Sequence, residues 1–329
     1  MVYEAPIAAG LVLTAVAVAV LAALWRWRER LILPRLLGLG VLPVLLAGLG
    51  VLGWGLFVAA GPRSDRTEQL ASMVTYEQLW VADGGRGHLA TIDLGDPCTR
   101  LITTAIDAEG RVGAQQTENW AADQAAVVAM NASFFAIVEE AQPPSVGLPL
   151  LQPSRYQEGL EAGVLGQAVV DGELRGLPRD WQGDWDGVLV HLDAEGRPGV
   201  GWVYPEDAVW GVGGRALLLD DGVVTAPESV PYARSIIGFN DTTMWWLVVD
   251  GKQAGYSHGV TLTEAATFLA DRGATHAIEF DGGGSAILAT ADDVLSRPVH
   301  RRIPGRSRPV ANHVGVIDGC APAVGTASS

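Results

Sequence analysis

The densest chemistry in the chain lies at the end of one apolar run, in Glu279-Phe-Asp-Gly-Gly-Gly-Ser285. Ala277 to Phe280 reads as a strand, so Asp281 stands at its end, and Gly282, Gly283 and Gly284 leave the backbone beyond it bare. Successive amide N–H groups without side chains can approach an anion closely, as in phosphate-cradling nests, while the carboxylate projects into the same space. A tight turn needs the same glycines and no ligand. A second apolar strand, Trp245 to Asp250, also ends in Asp-Gly and leads into a polar loop with Ser257, His258 and Gly259. If the two strands were neighbours, Asp250 and Asp281 would form the carboxylate pair that glycosidic hydrolysis uses. Asp-Gly is equally ordinary turn chemistry.

Three further residues have two readings each. Thr261-Leu-Thr-Glu264 fits a capping box, in which Glu264 serves a helix start, or else Glu264 joins the carboxylates. Arg234 opens the run RSIIGF, where a guanidinium beside a glycine-rich loop suits a bidentate grip on phosphate, or it is a surface arginine. Asn131 ends the run AVVAM as a sugar ligand or a turn-maker. The chain has no G-x-S-x-G, no P-loop, and neither HExxH nor multi-Cys spacing, so no metal and no cofactor is expected. His88, His191, His276 and His300 are scattered and read as structural or surface residues.

The elements that must position these groups are mostly strands. Asp171-Gly172, Glu195-Gly196 and Asp221-Gly222 each separate two short β-rich runs and predict hairpins. Helical spacing is confined to Thr117–Val128 and Thr261–Arg272, the latter with Leu262, Ala265, Ala266 and Leu269 on one face. The expected fold is α+β, with mostly antiparallel twisted sheets and few helices.

Ahead of this domain, residues 6–25 and 36–60 are apolar runs, each long enough for the roughly 20 helical residues a bilayer requires. A cleaved signal peptide would carry a basic region before the first run, where this chain has Glu4. Arg26, Arg28, Arg30 and Arg35 fall between the runs, which places that loop in the cytoplasm by the positive-inside rule. The expectation is a membrane anchor over residues 1–64 and an extracytoplasmic domain over 65–329, with the N-terminus also outside. Beyond residue 60 the chain holds 18 basic against 35 acidic residues, a net of about −17. Nucleic acid is excluded as a partner, and any anionic substrate needs a local cationic pocket. Cys98 and Cys320 both lie in the external part, where a disulfide can form.

In order, AVVAMNASFF, GVGGRALLLDDGVV, PYARSIIGF, WWLVVDGKQ, YSHGVTLTEAATFLADRGATHAIEFDGGGSAIL and RPVANHVGVI resemble the phosphodiester glycosidase family, from about Val81 to Ile317. The resemblance implies a compact arrangement of twisted sheets and hydrolysis of a glycosyl-1-phosphodiester in an envelope or exopolysaccharide glycan. It gathers Asn131, Arg234, Asp250, Ser257, Glu264, Asp281, Gly282, Gly283, Gly284 and Ser285 into one pocket. Asp281, Asp250 and Glu264 are the implied catalytic carboxylates, and the others hold sugar or phosphate. Two positions depart from the family pattern: Ala132 follows the Asn where glycine is usual, and Glu279 stands where asparagine is usual. These departures keep open a non-catalytic glycan-binding module tethered to the membrane.

Overall fold

A computed structural model describes residues 33–138, 156–176 and 187–321, with residues 15, 18 and 19; in the first helix, side chains are described at 44 and from 46 on. The contacts divide into two compact units, one running up to Arg63 with Lys252–His258, the other covering Ser64–Gly251 and Gly259 onward.

In the first unit a helix spans Leu33–Ala59. Near its end Val58 packs on Ala254, and the Arg63 guanidinium donates to the carbonyls of Ala59 and Gly255. Among the described residues no helix is long and apolar enough to cross a membrane. The expected span at 6–25 lies outside the described residues, and the one at 36–60 falls on Leu33–Ala59, part of whose side chains lie outside them.

The second unit is built on antiparallel sheets. Its largest has eight strands, and the four that matter for the site lie in the order Arg86–Asp93, Thr243–Val249, Arg234–Phe239, His276–Glu279. Period-two alternation explains why this sheet is buried on both faces. Met244, Trp246 and Val248 point into one apolar core, shared with strands of a four-stranded and a five-stranded sheet. Trp245, Leu247 and Val249 point into another, closed by the helix Leu262–Asp271. That helix has Leu262, Ala265, Ala266 and Leu269 buried, as their spacing requires.

All three expected hairpins form: Ala168–Val170 with Glu173–Arg175, Val188–Asp193 with Pro198–Gly201, and Ala216–Asp220 with Val223–Val224. At Asp171-Gly172 and Asp221-Gly222 both turn residues have positive φ, the type I′ geometry whose twist matches that of the strands. The other expected helix is shorter than its pattern, Thr117–Asp123, because Val128 already belongs to the strand Val128–Asn131. Cys98 and Cys320 are disulfide-bonded across 222 residues, joining the start of the strand Thr99–Thr103 to the end of its partner His313–Asp318.

Candidate active site

Asp281 follows the strand His276–Glu279, and the loop after it is held from three directions. The Asn131 side chain donates to the Asp281 carbonyl, and its oxygen accepts from the Ser235 hydroxyl at 2.7 Å and the Ile287 amide at 3.1 Å. Fully buried, Asn131 ties the strand Arg234–Phe239 to the 281–287 loop. The glycines serve close packing. A Cβ on Gly282 would lie 2.6 Å from the Ala233 carbonyl oxygen, and one on Gly251 only 2.4 Å from the Ala233 nitrogen, so the two Asp-Gly ends converge on one backbone segment. The Gly283 amide donates to the Ala233 carbonyl and the Ser285 amide to that of Gly282, at 2.9 and 3.1 Å. These two amides therefore build the loop.

Asp281 is half-buried, and its burial pushes its pKa up to about 6. Hydrogen bonds from the Ser285 hydroxyl and the Gly282 amide, together with the charge of Arg308, pull the other way. Arg308 donates to the Ser285 hydroxyl at 3.2 Å, so a relay runs Arg308, Ser285, Asp281. The guanidinium lies against Gly284, where a Cβ would come within 2.3 Å of it, and 4.2 Å from the ring centre of Tyr156. His300 sits beside it, Nδ1 3.4 Å from Arg308 Nε, and burial with the charges of Arg308, Arg306 and Arg301 lowers its pKa to about 4. A neutral imidazole can accept from arginine, so the cation and the carboxylate are presented together.

Asp250 has a different setting. The strand Arg234–Phe239 lies between the two Asp-ending strands, which puts Asp250 and Asp281 roughly 10 Å apart by the interstrand spacing. The expected neighbouring pair is therefore corrected to two carboxylates flanking an intervening strand. Asp250 is 2% exposed; its oxygens accept from His88 Nε2 at 3.0 Å and the Arg297 amide at 2.8 Å. With the Nε2 proton assigned by that carboxylate, His88 Nδ1 accepts from the Tyr76 hydroxyl at 2.8 Å. Burial pushes the Tyr76 phenol up to about 12, which keeps it a donor. Asp250 thus anchors the 297–308 segment that carries Arg308.

Arg234 is committed as well. Its guanidinium pairs with Glu279 at 2.6 Å and donates to the carbonyls of Val230 and Val260 at 3.0 and 3.3 Å. Glu264 is exposed, and its carboxylate accepts from the Thr261 amide at 2.7 Å in a complete capping box. Ser257 is buried in the 252–258 loop, exchanging backbone hydrogen bonds with Gln253, and belongs to the first compact unit.

The sequence profile of the phosphodiester glycosidase family matches residues 124–317, more than half of the chain and the stretch holding Asn131, Asp281 and Arg308. The chain belongs to the phosphodiester glycosidase family. None of the curated protein sequences matches it significantly. Solved structures that share its fold include the following two. One is a hypothetical protein from Synechocystis, with 17% identity and a TM-score of 0.52 over 78% of this chain and 64% of that one, so this chain spans under two thirds of its length. The other is the catalytic domain of zebrafish N-acetylglucosamine-1-phosphodiester alpha-N-acetylglucosaminidase, auto-inhibited by its pro-peptide. It has 19% identity and a TM-score of 0.51, covering 77% of this chain and 80% of that one.

Within this phosphodiester glycosidase domain, the geometry brings Asn131, Asp281, Gly282, Gly284 and Ser285 together and adds Arg308, Tyr156 and His300, which the reading of single residues missed. The one available signal for Arg308 was its place at the head of RPVANHVGVI. Two surface clefts of about 590 and 490 Å³ lie elsewhere, and neither is lined by Asp281 or Arg308.

Proposed function

We propose that this protein hydrolyses a glycosyl-1-phosphodiester at the anomeric carbon, releasing the sugar and leaving a phosphomonoester on the remainder of an envelope or exopolysaccharide glycan. The observation that carries this reading is the joint presentation of a half-buried aspartate, Asp281, and a cation, Arg308, through Ser285, inside a phosphodiester glycosidase domain. Water supplies OH to C1 while the C1–O electron pair leaves on the phosphate oxygen, and the remaining proton passes to a base. A phosphate leaving group departs without strong general-acid help. The useful state of Asp281 is accordingly the ionised one, acting on water or on the oxocarbenium-like centre. Arg308 is suited to hold phosphate charge as it moves onto the leaving oxygen. Asp250 positions the 297–308 segment, and Glu264 caps its helix.

Membrane anchoring belongs to the same proposal. The apolar runs at 6–25 and 36–60 with four arginines between them support it, as do the outward-facing Leu46, Leu49, Leu56 and Phe57 on Leu33–Ala59. The catalytic domain would then face the exterior, where its disulfide is stable.

The test uses the full chain in detergent micelles with a UDP-sugar or an isolated envelope phosphoglycan, following free reducing sugar. Release by the native chain and its loss in Asp281→Asn and Arg308→Ala are expected. Unchanged turnover in both variants would overturn the assignment. A non-catalytic glycan-binding role is favoured by binding of the same polymers with no product after prolonged incubation.

A further inference from the structure

In this chain the guanidinium that the sequence offers to phosphate already holds an internal anion. Arg234 and Glu279 meet at 2.6 Å, with only 10% and 8% of their side chains exposed. The remaining grip of Arg234 goes to two backbone carbonyls, and its face lies 5.7 Å from the Tyr232 ring centre. Glu279 and Asp281 are two residues apart on one strand end, and the carboxylate of Glu279 acts electrostatically on that of Asp281. Arg215, which follows Gly214 and donates its amide to the Glu279 carbonyl at 2.8 Å, adds a second cation. Burial raises the pKa of Glu279, and Arg234 and Arg215 both oppose that rise.

We infer that Glu279 is a specificity-determining residue that occupies the anion seat of Arg234, leaves Arg308 as the cation that meets phosphate, and so makes the pocket accept a phosphodiester monoanion in preference to a phosphomonoester dianion. The inference rests on the hydrolytic reading of the same site. Its physical basis is charge counting. A diester brings one negative charge. Its hydrolysis product, with a second ionisation near pH 6, brings up to two against the single positive charge of Arg308, because the Arg234–Glu279 pair is already neutral. A free Arg234 in addition to Arg308 would favour the dianion; an Arg234 already neutralised does not, and the product is released instead of retained.

The experiment measures binding of dimethyl phosphate and inorganic phosphate to the full chain by calorimetry at pH 8, without any turnover. The native protein is expected to bind dimethyl phosphate at least as tightly as inorganic phosphate. Glu279→Gln frees Arg234 and is expected to tighten inorganic phosphate by about tenfold or more, with a smaller gain for dimethyl phosphate. The double variant Arg234→Gln/Glu279→Gln, which removes both charges, should lose that gain.

A native preference for inorganic phosphate over dimethyl phosphate would overturn the inference, as would an equal or absent change in Glu279→Gln. So would failure of both the native chain and the variant to bind either anion. Binding of phosphate by Glu279→Gln alone supports it. If Glu279→Gln does not fold, as thermal unfolding would reveal, the native selectivity ratio decides. Charge selection without sugar release from any phosphodiester leaves this inference standing and removes the hydrolytic one.

Discussion

Asp281 and Asp250 are written alike, an apolar strand ending in Asp-Gly, and the chain uses them in opposite ways. The glycine after each aspartate packs on Ala233, and the two strands lie on either side of Arg234–Phe239. Asp250 is sealed under His88, Tyr76 and the Arg297 amide, so its charge is spent on architecture. Asp281 is left half-buried, its pKa raised, with the Ser285 hydroxyl donating to it and a cation behind that hydroxyl. The elements packed over a strand end decide its chemistry. Tyr76 and His88 lie outside the region that matches the family, whereas Arg308 lies within it.

The difference breaks most visibly on amide substitution. Asp281→Asn should reduce kcat by about a thousandfold while the protein stays folded, the scale of losing a positioned catalytic group. Asp250→Asn should instead destabilise the fold by about 3 kcal/mol or more, because it leaves the His88 and Arg297 donors facing an amide. Denaturant unfolding and single-turnover rates on both variants separate the two roles; a folded Asp250→Asn enzyme with normal stability would collapse the distinction.

Arg308→Lys comes next. It keeps a charge but loses the planar fork that reaches Ser285 and stacks on Tyr156, and turnover should fall about a hundredfold. Gly284→Ala should act in the same direction from the other side, since its methyl group would displace the guanidinium. Normal kinetics in Gly284→Ala would mean that Arg308 can move without consequence.

A smaller effect is expected with pH. If ionised Asp281 is the working form, kcat/KM rises as pH passes about 6, and this limb is absent from any residual activity of Asp281→Asn. Stability has the opposite sign. The folded pKa is raised, so ionisation of Asp281 costs stability above about pH 6, and the cost vanishes as pH falls below the ordinary aspartate value. A falling kcat/KM through that range would make Asp281 the acid. The smallest effect belongs to Glu264→Gln, whose kcat should stay within about twofold because the exposed side chain only caps its helix.

Much of this was legible in the chain. Hairpins at Asp171, Glu195 and Asp221 announce themselves because left-handed turn geometry restricts residue choice, and Thr261 with Glu264 marks a helix start through local hydrogen bonds. The Cys98–Cys320 bond followed from the expected external placement of both cysteines. The Arg234–Glu279 pair and the Tyr76–His88–Asp250 relay were not legible, because each joins strands adjacent only in the folded sheet. Glu279 registered as a departure from the family pattern without its partner. Arg308 stayed hidden because its contacts to Ser285, Tyr156 and His300 span three separate segments, and a lone arginine before proline carries no local signature.

The central claim is attack at the anomeric carbon by water that Asp281 assists. Hydrolysis of a glycosyl-1-phosphodiester by the full chain in H2¹⁸O, followed by mass spectrometry of both products, tests it most directly. The label is predicted on C1 of the released sugar, with unlabelled phosphomonoester. Label in the phosphate would place the attack at phosphorus and contradict the account.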